Sequence, residues 1–426
     1  MNKLNLLYDI TYLAESYKTP AMGTGIYTVA KGLLHCFLTD NRVSVCLYTT
    51  KLCDPLIHEL EKQYPNRFKV IKNTLLDRIQ KKITNLKTKI KQRINLINMI
   101  SARLRLPFYN LFFTIINKKT QYIFGKIDTY LSPVYIAPPS VANQLKIAKY
   151  LIIHDIIPLL LDNQHYRPAG WFKELIDNIP NQNYRFFAVS NHTKKDFVKH
   201  VGLKADRILV TPLACEERYH PRPLLEASET LAKKYPLIPN QQYVFTLSAL
   251  EPRKNLIRIV KTFASFIIKH QLTNLVLIIG GIKARPKTFE LLVNEIAKLG
   301  PYQNQIILAG YLGEEDLPHF YSKALWFVYT SQYEGFGLPP LEAMACGCPV
   351  IVSNNSSLPE VVADTGIMID WDSDEQHLAA YETYYFNEKI RLENSRKGLL
   401  QASKFSWQKT SDLMINAMYG SLKETS

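Results

Sequence analysis

The stretch Ser331-Gln-Tyr-Glu-Gly-Phe-Gly-Leu-Pro-Pro-Leu-Glu-Ala-Met-Ala-Cys-Gly-Cys-Pro-Val350 sets two carboxylates, Glu334 and Glu342, on either side of a glycine-rich turn. Before it, residues 325–330 form a short apolar run of strand character; after it, Pro339 and Pro340 open a helix whose first turn carries Glu342. The order strand, loop, helix places Gly335, Phe336, Gly337 and Leu338 outside the carboxyl end of a strand in an open α/β sheet. Free backbone N–H groups and a helix N-terminus face an anion there, and a diphosphate fits.

The same alternation extends in both directions. Strand-like segments near 3–9, 43–49, 128–131, 149–153, 186–189 and 207–211 alternate with helical ones near 25–38, 171–181 and 191–200. A second series, at 243–248, 274–279, 305–309, 325–330, 349–353 and 366–370, repeats the pattern, which implies a parallel sheet covered on both faces. The fold class is therefore α/β, with two Rossmann-like halves and a cleft between them. Residues 216–240, rich in Pro and charge, read as a linker.

A chain of 426 residues, 47% hydrophobic and 21% charged, is globular with ample length for two domains. The six cysteines show no paired metal spacing and read as reduced thiols, Cys346 and Cys348 lying in the helix-to-strand turn. Residues 1–10 look like a first strand and carry no signal-peptide pattern, and no window reaches the roughly eighteen apolar residues of a membrane span. The expected location is cytoplasmic.

The net charge of +15 is concentrated between Lys72 and Lys126, with thirteen Lys or Arg against one acid, Asp77. Within it Ile83, Leu86, Ile90, Ile94, Ile97, Ile100 and Leu104 recur at helical spacing, and the apolar run 108–116 follows Pro107. Such a basic amphipathic insertion reads as a surface anchor for anionic lipid, or as a solvated helix packed by its apolar stripe on its own domain. Nucleic acid is not indicated, because the aromatic residues follow the basic run and do not interleave with it.

An E-x7-E spacing around a GFG turn, followed by a small-residue helix and a Pro-Val-Ile strand, resembles the retaining nucleotide-sugar glycosyltransferases of family 4. The resemblance covers most of the chain, is strong over 186–422 and is absent over 72–126. It implies the GT-B architecture: an acceptor-side domain over 1–215, a donor-binding domain over 241–404, and a C-terminal helix over 405–426 that returns to the first domain, with Ser406 as its N-cap. By position, Glu334 contacts hydroxyls of the donor sugar and Glu342 the ribose. Arg253 and Lys254, in Leu247-Ser-Ala-Leu-Glu-Pro-Arg-Lys-Asn255, carry the family's leaving-group cations. The lysine matches well, whereas the family's usual arginine position holds Ser248 here.

Two cations at a strand end stabilise a departing diphosphate more than the bound ground state. His154, ending the apolar run 149–153, lines the sugar pocket by resemblance, with Asp155 orienting it; a purely structural His is the alternative. Gly23-Thr-Gly25 precedes a helix and, by resemblance, approaches the diphosphate, though a turn needed only for folding fits as well. Asp370-Trp-Asp-Ser-Asp374 contains the D-x-D string that chelates metal in other glycosyltransferases; it reads here as an acidic loop and helix cap, and no metal or other cofactor is expected.

The implied activity is metal-independent hexosyl transfer from a nucleoside diphosphate sugar, GDP-mannose first, to a glycan or lipid-linked acceptor. The alternatives are a UDP- or dTDP-sugar donor, or a sugar-nucleotide epimerase of similar architecture.

Overall fold

A computed structural model of the chain describes residues 3–17, 25–50, 53–72, 125–142, 144–161, 170–179, 183–235, 241–281 and 286–425. Seven parallel strands, β1 (Leu4–Asp9), β2 (Val43–Thr49), β3 (Phe68–Lys72), β4 (Thr129–Ser132), β5 (Ala148–Ile153), β6 (Tyr184–Ala188) and β7 (Ile208–Val210), form the first sheet in the order β3-β2-β1-β4-β5-β6-β7. Six more, β8 (Gln242–Leu247), β9 (Leu275–Gly280), β10 (Ile306–Gly310), β11 (Trp326–Tyr329), β12 (Val350–Ser353) and β13 (Ile367–Ile369), form the second in the order β10-β9-β8-β11-β12-β13. Every pairing is parallel. Parallel strands need helical crossovers that cover both faces, so inner strands are largely apolar; β9, Leu-Val-Leu-Ile-Ile-Gly, is buried at every residue.

Each sheet reverses its strand order once, at β1/β4 in the first and β8/β11 in the second. Loops at a reversal diverge to opposite faces and leave a crevice at the strands' carboxyl ends. The two crevices are where functional residues are expected to meet.

Several elements differ from the sequence reading, among them the helices Thr11–Tyr17 and Asp54–Gln63, which it did not include. Strand β3, Phe-Lys-Val-Ile-Lys, was not anticipated because its lysines break the apolar run; it lies at the edge of its sheet, where lysine discourages further pairing. The stretch 216–240, read as a linker, contains the helix Leu224–Lys234, held to the second unit by Lys234 Nζ and Tyr235 Oη on Asp316, at 2.6 and 2.8 Å. The helix at 191–200 is a short α-helix, Asn191–Asp196, that passes into a π-turn, Phe197–Val201, before Gly202. The basic insertion lies outside the described residues beyond Lys72 and before Gly125.

The C-terminal helix, Trp407–Thr425, runs back onto the first unit, with Ser406 Oγ accepting from Lys409 N–H at 3.2 Å as its cap. Tyr419 Oη accepts from the β1 amide of Leu4 at 3.0 Å, and Tyr150 Oη on β5 meets Ser421 Oγ at 2.7 Å. At its start the Trp407 ring lies on Gly32 of the helix Gly25–Thr39, where a Cβ would stand 2.7 Å from the indole.

Gly32→Ala gains about 1 kcal/mol of helix propensity but forces the indole off its seat, an overpacking cost of about 1–3 kcal/mol. A net loss of stability in urea, with a shift in tryptophan emission, is expected; an unchanged midpoint and spectrum would show that the C-terminal helix does not depend on this contact.

Candidate active site

The second crevice gathers its charges from two neighbouring strand ends. After β8 the chain makes a tight 3-10 turn, Pro252–Lys254, and enters the helix Leu256–Lys269 through Asn255 in the left-handed conformation (φ 61°). After β11 it reaches Glu334. Because β8 and β11 are adjacent, one Glu334 oxygen, Oε1, sits 2.8 Å from Arg253 Nη1 and 2.7 Å from Lys254 Nζ. The same oxygen accepts from Tyr329 Oη at 3.0 Å and Ser331 Oγ at 2.5 Å.

Burial alone would raise the Glu334 pKa, but Arg253, Lys254 and the hydroxyls together hold it down at about 2, so the group is anionic at any physiological pH. Burial and the neighbouring Arg253 push Lys254 below the ordinary lysine range, against the pull of Glu334. Oε2 of Glu334 accepts from none of the described residues, so this carboxylate has one oxygen fixed and one available. Lys254 donates to Glu334 and Tyr329, which leaves one of its three N–H groups. Arg253 is also held by Glu251 at 2.9 Å and by the Tyr333 carbonyl at 3.0 Å. The sequence missed Tyr329 and Ser331 as members of this cluster, although both flank the motif; alternation along a strand does not say that a terminal tyrosine bends back to a loop.

Beyond Glu334 the chain turns through Gly337 (φ 111°) into the helix Leu338–Ala345, with prolines in its first turn as expected. Glu342 is the fifth residue of that helix, one step past the first turn where the sequence placed it. Its Oε2 accepts from Tyr321 Oη at 3.1 Å, and the Tyr219 hydroxyl also faces it. Burial dominates and raises Glu342 to about 7; the tyrosines act against this, and Glu216 and Glu314 add to it. The two glutamates of one motif thus carry opposite shifts, because only Glu334 has cations.

From the first unit, His154 follows β5 and reaches the same region. Its Nε2 donates to the Pro133 carbonyl at 2.7 Å, which leaves Nδ1 as an acceptor. Burial lowers its pKa to about 4 despite that carbonyl, so the ring is neutral. Pro133 does the orienting that the sequence assigned to Asp155. Asp155 instead accepts from the Ile157 amide at 3.0 Å and begins the next helical turn. Gly335 lies directly against this segment: a Cβ there would be 2.2 Å from the His154 carbonyl oxygen. Gly23 and Thr24 are outside the described residues, while Gly25 opens its helix facing Leu338, with 3.4 Å between a Cβ at Gly25 and the leucine side chain.

The acidic string after β13 serves the helix Asp374–Phe386, whose N-cap is Ser373; Asp374 is paired with Arg258. Among the described residues no group of three or more His, Cys, Asp or Glu is arranged to hold a metal ion, and no helix is long and apolar enough to cross a membrane. All six cysteines are free thiols.

Residues 227–404 match the family model for glycosyl transferases group 1. The second half of the chain is thus similar to the group 1 glycosyl transferases. Among curated relatives, O-antigen chain mannosyltransferase B of Escherichia coli is 35% identical over 229 residues, 54% of this chain and 58% of the relative. The serotype-specific mannosyltransferase WbdA of Escherichia coli is 29% identical over 268 residues, 62% of this chain and 32% of WbdA. The match therefore spans about three-fifths of the first relative's length and a third of the second's. HepE of Anabaena, solved in complex with UDP, superposes with a TM-score of 0.68 at 15% identity, covering 98% of this chain and all of HepE. The fold is GT-B, two Rossmann-like domains with parallel sheets.

A carboxyl whose folded pKa lies above its unfolded value favours the folded state fully below the unfolded value, and loses that contribution as pH rises through the folded one. For Glu342 this loss falls between about pH 4.5 and 7. Glu342→Gln should therefore gain stability relative to the parent between pH 5 and pH 8, on the order of 3 kcal/mol at most. Urea titrations at both pH values decide this; parallel changes in the two proteins would place the Glu342 pKa in the ordinary range.

Proposed function

We propose that this protein is a retaining hexosyltransferase that moves a sugar, first mannose from GDP-mannose, to a growing glycan or lipid-linked oligosaccharide of a surface polysaccharide. The observation that carries the reading is the convergence of Arg253, Lys254 and Glu334 at the β8/β11 switch point, beside a glycine turn that faces the other domain. The mannosyltransferases among its relatives support the sugar, and the UDP bound to HepE supports a nucleotide donor.

In this reading the ribose hydroxyls donate to Glu342, and the diphosphate lies along Gly335–Gly337 with the remaining Lys254 N–H and Arg253 directed at it. The free Oε2 of Glu334 and Nδ1 of His154 accept from sugar hydroxyls. Glu334 is already engaged by two cations, which suits it to orientation and makes it a poor nucleophile. The acceptor hydroxyl oxygen bonds to the anomeric carbon on the face from which the diphosphate departs. As the carbon–oxygen bond breaks, its electron pair goes to the phosphate oxygen, which also takes the acceptor's proton. The products are a glycoside of retained configuration and a nucleoside diphosphate. Cations and backbone N–H groups meet the developing charge, so the scheme calls on no metal.

A thermal-shift screen without metal should show GDP-mannose raising Tm more than UDP-glucose, UDP-N-acetylglucosamine or dTDP-rhamnose. A selective response to another sugar nucleotide would replace the donor, and no response to any would sink the reading. Glu334→Gln and Lys254→Ala should each lower kcat by about 10²–10³-fold, and unaltered turnover in either would refute its role.

The basic stretch 72–126 is read as the surface that meets anionic lipid, placing the enzyme on the cytoplasmic face of a membrane that carries its acceptor. Flotation with phosphatidylglycerol vesicles but not with phosphatidylcholine alone is expected; binding indifferent to lipid charge would remove this part of the proposal.

A further inference from the structure

The glycine turn of the second domain is held from behind by hydroxyls, and one of its three holds comes from the first domain. The carbonyls of Glu334 and Phe336 both accept from Ser357 Oγ, at 3.0 and 2.7 Å. The carbonyl between them, that of Gly335, accepts from Ser190 Oγ at 2.7 Å, across the seam between the domains. Thr193 Oγ1 stands 2.9 Å from the His154 carbonyl and 3.1 Å from that of Gly335. Each hydroxyl has one proton, so both carbonyls are satisfied when Ser190 donates to Gly335 and Thr193 to His154. Ser190, Thr193 and Ser357 are 2% exposed or less, so an unmet carbonyl in this seam would be costly.

With three successive carbonyls turned toward these hydroxyls, the N–H groups of Gly335, Phe336 and Gly337 are left over. Among the described residues none accepts a hydrogen bond from them. The seam is closed a second time by Glu360, whose carboxylate accepts from the amides of Asn191 and His192 at 2.8 and 2.7 Å and from Asn191 Nδ2 at 3.0 Å. The absence of a side chain on Gly335 lets the His154 segment approach this closely.

We propose that Ser190 and Thr193 are positioning residues for the donor diphosphate: acting across the domain seam, they fix the Gly335 peptide and the His154 segment so that the N–H groups of Gly335, Phe336 and Gly337 face the phosphates. Domain closure then completes the phosphate cradle of the second domain with two residues of the first. This inference rests on the proposed use of a nucleoside diphosphate sugar.

The test is isothermal titration of the full chain with GDP and GMP, and with UDP and UMP, which reads the contribution of the second phosphate. The parent should prefer the diphosphate. In Thr193→Val and in Ser190→Ala that preference should fall by about tenfold, the scale of one lost hydrogen bond, with monophosphate affinity kept in protein that is folded at the titration temperature, although each variant loses some Tm with its buried hydrogen bond and Ser190→Ala also with its helix cap; Thr193→Ser should restore the preference. Glu360→Gln, exposed and so without risk to folding, should give a smaller loss of the same kind.

Equal losses for mono- and diphosphate, or a diphosphate preference unchanged in all three variants, would overturn the inference while the parent's binding leaves the proposed function standing. A parent that binds neither diphosphate overturns both.

Discussion

The site is organised around a single desolvated oxygen. Glu334 Oε1 receives Arg253, Lys254, Tyr329 and Ser331, and without those donors a buried carboxylate at this position would protonate instead of charging. The dependence is mutual. Lys254 is buried beside a second cation, a placement that disfavours its charge, and the Glu334 carboxylate is the chief influence that favours it. Glu251 completes the balance on the far side of Arg253. Arg253 and Lys254 are balanced by Glu334 and Glu251, with Asp155 close enough to feel both cations, so the cluster's pull on an anion is directional. It comes from particular N–H groups aimed into the crevice, not from an excess of positive charge. The cations expected from sequence as free counter-charges are therefore also structural members of the glutamate's own site.

That cluster fixes the turn that follows it. With Glu334 held by its side chain, and the peptides of 334–336 held by Ser357 and Ser190, the chain reaches Gly337 in a left-handed conformation and starts the helix that carries Glu342. The environments of the two glutamates then diverge. One meets cations and stays ionised; the other meets tyrosines, and its charge is sensitive near neutral pH. A regular spacing in sequence thus yields two groups of different chemistry, because one lies on a loop at the carboxyl ends of the central strands β8 and β11 and the other on a helix face packed against neighbouring helices.

Contacts between the domains are made by polar groups on Gly335, Glu360, Ser190 and Thr193, by the approach of Gly335 to His154, and by the C-terminal helix. Beside this polar seam one buried apolar cluster, with Met414 and Met418 of the C-terminal helix in it, runs through both domains, so the hydrogen bonds set the local geometry while apolar packing holds the domains together. The C-terminal helix provides a lasting tie, since its tyrosines and Ser421 bond to the first sheet and its tryptophan packs on Gly32.

The sequence by itself determined the α/β class, most strands of both sheets, and the strand-turn-helix unit of Ser331–Val350, because period, proline and glycine act over a few residues. It also placed Glu334, Arg253, Lys254 and His154 at the ends of strands and Glu342 on the helix that follows the glycine turn. Only the tertiary structure decided which of those ends meet. Arg253 and Lys254 reach Glu334 across some eighty positions because β8 and β11 are neighbours, an adjacency set by how helices pack on the sheet. The same holds for Pro133 on His154, the tyrosines on Glu342 and Ser190 on Gly335, each separated by many residues along the chain. Hydrogen bonds between distant segments leave no periodicity to read; they exist only once burial has excluded water and left those groups each other as partners.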